Sequence, residues 1–168
     1  MNGHTIWLTG IPDSGKETIA DRIAKEIREI RNLPVILLDS KIVRKTLSFD
    51  LGYSRYDEEK HVLRVANVCY LISANGIINI ASVNSPNKRI RSYAKSLIKD
   101  FTEVFVKCSE EAIIERQLPG LHSNVDIYNP NRNFEEPYRP NLVLDTEKNT
   151  ISECTNRLIS YLEERGII

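Results

Sequence analysis

Residues 10–18 read GIPDSGKET, and this stretch decides the fold of the chain. It follows an apolar run, TIWLT (5–9), and precedes a helical pattern, IADRIA (19–24). A strand, a glycine-containing loop and a helix in this order form the setting in which a loop wraps around a phosphate group. Gly10 and Gly15 let backbone N–H groups turn toward an anion, and the helix adds the positive end of its dipole. The stretch therefore predicts a phosphate-binding loop.

One position of this loop departs from the usual pattern. The lysine of such loops reaches the β- and γ-phosphates, and the next residue is Ser or Thr, whose hydroxyl holds Mg²⁺. Here Glu17 follows Lys16, and Thr18 comes one residue later. A carboxylate is a hard oxygen ligand, so Glu17 is the candidate metal ligand. We expect the loop to hold a nucleotide through Gly10, Asp13, Ser14, Gly15, Lys16, Glu17 and Thr18. The alternative is a glycine-containing turn that binds nothing.

Composition and length limit the classes of protein to consider. A chain of 168 residues with 41% hydrophobic and 27% charged residues is typical of one soluble domain, spanning 1–168. Its net charge is zero, so no overall field attracts nucleic acid or a membrane surface. The sequence shows no signal peptide and no apolar run of about 18 residues. Its three cysteines are far apart, as in a protein of the reducing cytoplasm.

Strand and helix patterns alternate along the chain. Mostly apolar runs predict strands at 5–9, 35–38, 77–81, 103–106 and 142–144, and the wholly apolar run 35–38 is typical of a strand buried on both faces of a parallel sheet. Helices are predicted at 17–31, 39–47, 57–74, 109–116 and 150–165, with a basic helix ending near residue 98. Five apolar strands separated by helices predict a three-layer α/β fold around a five-stranded parallel sheet. The irregular stretch 117–140 is long enough to predict a lid or binding loop.

The loops at one edge of the predicted sheet share a basic character. Ligands of doubly wound sheets bind beyond the C-terminal ends of the strands, and loops 10–17, 39–44 and 82–91 fall there. Residues 84–99 contain five basic and no acidic residues, and residues 41–45 contain three basic residues. Taken alone, each cluster of basic residues would be explained as the solvent-exposed face of a helix. Beside a phosphate-binding loop, they indicate a second, anionic substrate.

The ordered set of motifs resembles the adenylylsulfate kinase family of the P-loop kinase superfamily. The resemblance covers nearly the whole chain and rests on IWLTG (6–10) with SGK (14–16), LD (38–39), LGYS (51–54), SP (85–86), EVFV (103–106) and LVLDT (142–146). It implies a P-loop NTPase fold that uses ATP and Mg²⁺. It also implies transfer of the γ-phosphate to the 3′-hydroxyl of adenosine 5′-phosphosulfate, a nucleotide-like acceptor. A homodimer is the assembly that the resemblance suggests.

The resemblance also carries over site residues by position. It implies that Lys16 and Asp39 are catalytic and that Arg116, before the predicted lid, lies near the ATP. The residues that it implies for binding the acceptor are Asp39, Arg44, Tyr53, Arg64 and Ser85.

Several substrate and metal positions depart from the family pattern. Lys41 replaces the second aspartate of the family's D-G-D, and Glu58 and His61 replace a substrate-facing arginine and asparagine. These changes leave two alternatives open: a kinase for another nucleotide conjugate such as cytidine diphosphoramidate, and a nucleotide-binding protein with impaired catalysis. Glu17 and Lys41 are expected to neutralise each other in an ion pair, with the loops after the first two strands side by side. The sequence leaves open the acceptor, turnover and oligomeric state.

Overall fold

A computed structural model describes residues 3–117 and 134–168. The stretch 118–133, which contains most of the predicted lid, lies outside the described residues. Within the described ranges, no helix has both the length and the apolar character needed to cross a bilayer.

Five parallel strands form the sheet. They are β1 (Thr5–Thr9), β2 (Val35–Asp39), β3 (Ile78–Ser82), β4 (Phe101–Lys107) and β5 (Leu142–Asp145). Their spatial order is β2-β3-β1-β4-β5, so β1 lies at the centre and every pairing is parallel. The prediction of a five-stranded parallel sheet is confirmed. The C-terminal ends of β1, β2 and β3 meet at one edge, where the three predicted ligand loops begin.

In the described part of the chain, five α-helices connect the strands and a sixth follows β5. They are α1 (Lys16–Lys25), α2 (Ser40–Thr46), α3 (Arg55–Ala74), α4 (Lys88–Leu97), α5 (Glu110–Gln117) and α6 (Ile151–Glu164). The helix predicted at 17–31 differs in its second half. Its α-helical part ends at Lys25, and Glu26–Ile30 continue it as a wider π-helical turn.

Side-chain caps determine where several helices begin. Asp39 accepts hydrogen bonds from the backbone N–H groups of α2, and Ser54 and Asn87 do the same for α3 and α4. At α6, Thr150 and Glu153 form a reciprocal capping box. These short polar side chains satisfy N–H groups that have no partner within a helix. The caps of α2 and α4 also fix the first turns of two helices that leave the ligand edge.

Two layers of helices cover the sheet. Successive side chains of a strand point to opposite faces, so Ile6 and Leu8 join one core cluster while Trp7 joins the other. The first cluster packs under α1 and α6 and includes Cys154, and the second packs under α3 and α4 and includes Cys69. Both cysteines are free thiols that pack as small hydrophobes. The predicted three-layer α/β fold is confirmed.

Candidate active site

Both loop glycines occupy positions that a side chain cannot share. A Cβ at Gly10 would lie 2.4 Å from the carbonyl oxygen of Val106 in β4. Gly15 has a φ of 98°, in the left-handed region, and a Cβ there would lie 2.8 Å from Cδ1 of Ile151. Gly15 is also the residue before the first turn of α1. The loop therefore packs closely against β4 and α6, as a tight phosphate-binding turn requires.

Lys16 is held inside this loop. Its side chain is 1% exposed, and its Nζ donates a hydrogen bond of 2.6 Å to the carbonyl oxygen of Ile11. Burial lowers the pKa of Lys16 to about 8, although the nearby carboxylates of Glu17 and Asp13 oppose this shift. The ammonium is thus within the curve of the loop, where it can transfer its hydrogen bond to a phosphate oxygen.

Nucleotide affinity is expected to fall as the pH rises through about 8. Above this pH the free protein loses the ammonium charge of Lys16, because its pKa is about 8, and a neutral amine attracts phosphate weakly. Calorimetric titration with ATP between about pH 7.5 and about pH 10 should show this loss, because the last phosphate ionisation, with a pKa of roughly 6–7, is largely complete over that range. A constant affinity over that range would contradict the role of Lys16.

The free energy of unfolding should instead rise with pH above about 8, because the unfolded lysine keeps its proton to higher pH.

A cavity adjoins the phosphate-binding loop on the side of β5. The Thr146 hydroxyl donates to the Ser14 carbonyl at 2.8 Å, and Arg116 donates to the Thr146 carbonyl. Arg116 and residues 146–151 line a cavity of about 430 Å³. Ile151, one of the lining residues, also approaches Gly15. The structure thus places Arg116 beside the loop, with space for the nucleoside part of a nucleotide.

Another cavity lies at the end of β2, and two of the predicted acceptor residues, Arg44 and Tyr53, line it. This cavity has a volume of about 330 Å³, and its lining residues are Ser40, Lys41, Arg44, Lys45, Tyr53, Glu58 and His61. The guanidinium of Arg44 lies 4.8 Å from the ring centroid of Tyr53. The structure therefore brings Arg44 and Tyr53 together, and their binding of an acceptor stays a prediction. Lys41 and Lys45 give the cavity a cationic rim that suits an anionic ligand.

Glu58 and His61 belong to this cavity, although we did not predict them as site residues. Glu58 accepts a hydrogen bond of 2.8 Å from Arg44, and burial raises its pKa. His61 is buried, its Nδ1 lies 2.9 Å from the hydroxyl of Ser48, and its Nε2 has no hydrogen-bond partner among the described residues. Burial and the charges of Arg44 and Arg64 lower the pKa of His61 to about 4, so it is neutral at pH 7. Glu58 and His61 stand at positions where the resembled family has substrate-facing residues, and this could have identified them from the sequence.

Three other predicted site residues make internal contacts. Asp39 Oδ1 accepts from two backbone N–H groups at 2.8 and 3.0 Å, which orients its carboxylate at the end of β2. Ser85 is buried, and its hydroxyl lies 2.7 Å from that of Thr9. Arg64 donates to the carboxylate of Asp50 at 2.8 Å and does not line the cavity around Arg44. Their roles in binding substrate stay predictions.

The predicted ion pair between Glu17 and Lys41 is wrong. The loops after β1 and β2 are not neighbours, because β3 lies between these strands. Glu17 and Lys41 are both exposed, and the described part of the chain contains no ion pair between them. Nor do residues 3–117 and 134–168 contain any cluster of three His, Cys, Asp or Glu side chains suited to a metal ion. Glu17 is thus a separate carboxylate at the start of α1.

Known proteins resemble this chain over nearly all of its length. The profile of a family described as adenylylsulphate kinase matches residues 2–145. The adenylyl-sulfate kinase of Halothermothrix orenii is 34% identical to this chain. The match covers 100% of this chain and 94% of that relative. The structure of the APS kinase CysC of Mycobacterium tuberculosis in complex with AMPPNP and APS has a TM-score of 0.84 to this chain at 26% sequence identity. The match covers 96% of this chain and 98% of the CysC chain. The hexameric APS kinase of Thiobacillus denitrificans has a TM-score of 0.78 at 27% identity, covering 99% of this chain and 30% of its own.

These similarities decide between the three functional interpretations of the sequence. They confirm the resemblance and the interpretation as an ATP-dependent phosphotransferase with a P-loop kinase fold. They do not support a kinase for cytidine conjugates or a catalytically impaired binding protein.

Proposed function

This chain belongs to the adenylylsulphate kinase family, and we propose that it transfers the γ-phosphoryl group of ATP to the 3′-hydroxyl of adenosine 5′-phosphosulfate. One observation of the molecule carries this proposal. The phosphate-binding loop with Lys16 and the cationic cavity around Arg44 open at the same edge of the sheet. Phosphoryl transfer requires this arrangement, because catalysis depends on positioning donor and acceptor and on neutralising charge.

The proposed mechanism assigns separate tasks to the two sides of the site. The backbone N–H groups of the loop, the N-terminus of α1 and Lys16 hold the β- and γ-phosphates and stabilise the charge of the transition state. Arg116 lies on the nucleoside side. Asp39 is the proposed catalytic carboxylate, and its hydrogen bonds to the first turn of α2 fix its orientation. The acceptor enters beside Arg44 and Tyr53, with contributions from Ser85 in the turn after β3 and from Arg64 on α3.

Mg²⁺ is part of the proposal. Glu17 is exposed on the first turn of α1 and offers the oxygen ligand that Mg²⁺ prefers. Kinase Mg²⁺ ions are held by one or two carboxylates together with waters and substrate phosphates. A single carboxylate beside the phosphate-binding loop therefore fits the ion. Bound there, Mg²⁺ would neutralise charge on the transferred phosphoryl group.

Three further expectations belong to the same proposal. We expect a single domain over 1–168 whose stretch 117–140 acts as a lid over the nucleotide. Free cysteines support a cytoplasmic location, since that compartment keeps thiols reduced. We also expect a homodimer, and sedimentation of the purified protein would distinguish it from a monomer and from a hexamer.

Direct assay tests the proposed reaction. The protein is incubated with Mg·ATP and adenosine 5′-phosphosulfate, and ADP and the 3′-phosphorylated product are measured together. Adenosine 5′-phosphate and cytidine diphosphoramidate serve as control acceptors. We expect one ADP per product molecule with the phosphosulfate and much slower transfer to either control. Tight ATP binding with no transfer to adenosine 5′-phosphosulfate would contradict the proposal.

A further inference from the structure

Arg91 is a buried arginine on α4 that the proposed mechanism does not use. Its side chain is 4% exposed, and its Nε lies 3.4 Å from the carboxylate of Glu103 in β4. Its two terminal nitrogens donate to the carbonyl oxygens of Ser85 and Glu135, one each. One planar guanidinium thus joins three separate segments of the chain.

The second of these carbonyls belongs to a segment that we call the return strap, residues 134–137. The backbone N–H of Glu135 donates to the carbonyl of Pro86 at 2.7 Å, and the Glu135 carboxylate accepts from the N–H of Lys88 at 3.0 Å. Phe134 stacks on Phe105 with ring centroids 6.0 Å apart. The return strap therefore lies against both β4 and the turn between β3 and α4.

The first carbonyl connects Arg91 to the phosphate-binding loop. Ser85 is held at its carbonyl by Arg91, and its hydroxyl lies 2.7 Å from that of Thr9. Thr9 is the last residue of β1 and directly precedes Gly10. Two consecutive side-chain contacts therefore link Arg91 to the strand that carries the loop. Ser85 is also one of the residues predicted to bind the acceptor, so a shift of Arg91 would displace it relative to the phosphates that hold the transferred group.

We propose that Arg91 is a positioning residue, which holds the turn after β3 and the return strap in the arrangement that binds the phosphoryl acceptor. This inference rests on the proposed function. Burying an ion pair costs desolvation, and apolar residues often stabilise a core equally well. The Arg91–Glu103 pair supplies a fixed orientation, because the planar guanidinium donates to two carbonyls and also pairs with a carboxylate. A lysine keeps the charge but cannot reproduce this fork.

The substitution Arg91→Lys tests the proposal, with Arg89→Lys as the matched control. Arg89 lies on the same helix, but its side chain is 77% exposed and pairs with Glu59. We expect Arg91→Lys to raise the KM for adenosine 5′-phosphosulfate by at least about 10-fold, with the KM for ATP changed by less than about 2-fold. Hydrogen exchange at the Glu135 amide should also become faster by at least about 10-fold, since its hydrogen bond opens more often. Arg89→Lys should change none of these values.

Other results would overturn the proposal. Equal increases in both KM values, or a lower melting temperature with unchanged KM values, would make Arg91 a merely structural residue. If Arg91→Lys does not fold, Glu103→Gln releases one side of the guanidinium, and the same selective rise in acceptor KM is expected. A wild-type chain that binds adenosine 5′-phosphosulfate without phosphorylating it would contradict the proposed function alone. The affinity of Arg91→Lys for that ligand would then decide the role of Arg91.

Discussion

Replacing Lys16 with methionine is expected to weaken ATP binding by about 10- to 100-fold. Lys16 is buried inside the loop, and its ammonium already donates to the Ile11 carbonyl. A hydrogen bond to a charged group contributes about 1.5–3 kcal/mol, and the upper value corresponds to about 100-fold in Kd. Methionine keeps the length of the side chain but has neither the charge nor the donors. Calorimetric titration with ATP at about pH 7 measures the effect directly.

A second lysine on the same helix provides the control for this substitution. Lys25 is exposed and forms an ion pair of 3.0 Å with Asp21, so Lys25→Met should leave ATP affinity unchanged. Lys16→Met should not destabilise the protein, because it removes a buried charge from a low-dielectric site. Thermal unfolding separates the two effects. Equal ATP affinity in Lys16→Met and the wild type would remove the loop from the candidate site.

Gly10→Ala is expected to lower the free energy of unfolding by about 3 kcal/mol. The new Cβ would lie 2.4 Å from the carbonyl oxygen of Val106, and neither group is the end of a flexible side chain. Forcing additional atoms into a packed interior costs about 1–3 kcal/mol, and β1 or β4 must shift to relieve the contact. For a chain of this length, the melting temperature should fall by about 6–12 °C. The loop should also lose nucleotide affinity, because Gly10 begins it.

The control substitution Gly166→Ala separates the effect of the steric clash with Val106 from the effect of backbone strain. Gly166 has a φ of 64°, and nothing lies within 4 Å of a Cβ built there. This control should cost only about 1 kcal/mol, the strain of a left-handed backbone in a non-glycine residue. Similar losses of stability in Gly10→Ala and Gly166→Ala would show that close contact with β4 does not constrain the loop.

The fold could be predicted from the sequence because its signals are local. A wholly apolar strand such as 35–38 and a glycine loop before a helical pattern each specify their own conformation. The π-helical turn at Glu26–Ile30 was missed because its apolar spacing is the same as that of the preceding helix. Strand order is not a local property. The predicted Glu17–Lys41 pair failed for this reason, since nothing in either loop indicates that β3 lies between β1 and β2.

The candidate site was predictable to the extent that its residues lie next to recognisable motifs. Arg44 and Tyr53 are nine residues apart in the sequence and were both expected near the acceptor, and the structure brings them together at one cavity. Arg91 was counted only as one of several basic residues on a helix. Its ion pair with Glu103 joins two elements across the fold. A single carboxylate at the start of the apolar strand EVFV (103–106) was the one sequence signal of a buried partner.

The position of β1 in the sheet has a consequence for the order in which the molecule assembles. Its partners come much later in the chain, since Thr5 pairs with Asn79 and with Phe101. The loop that follows it is completed later still, when Thr146 donates to the carbonyl of Ser14. Long-range parallel pairing is slow to form because the intervening chain must be ordered first. During synthesis the nucleotide site therefore takes shape only after Thr146 has emerged, and nucleotide can stabilise only chains that extend at least that far.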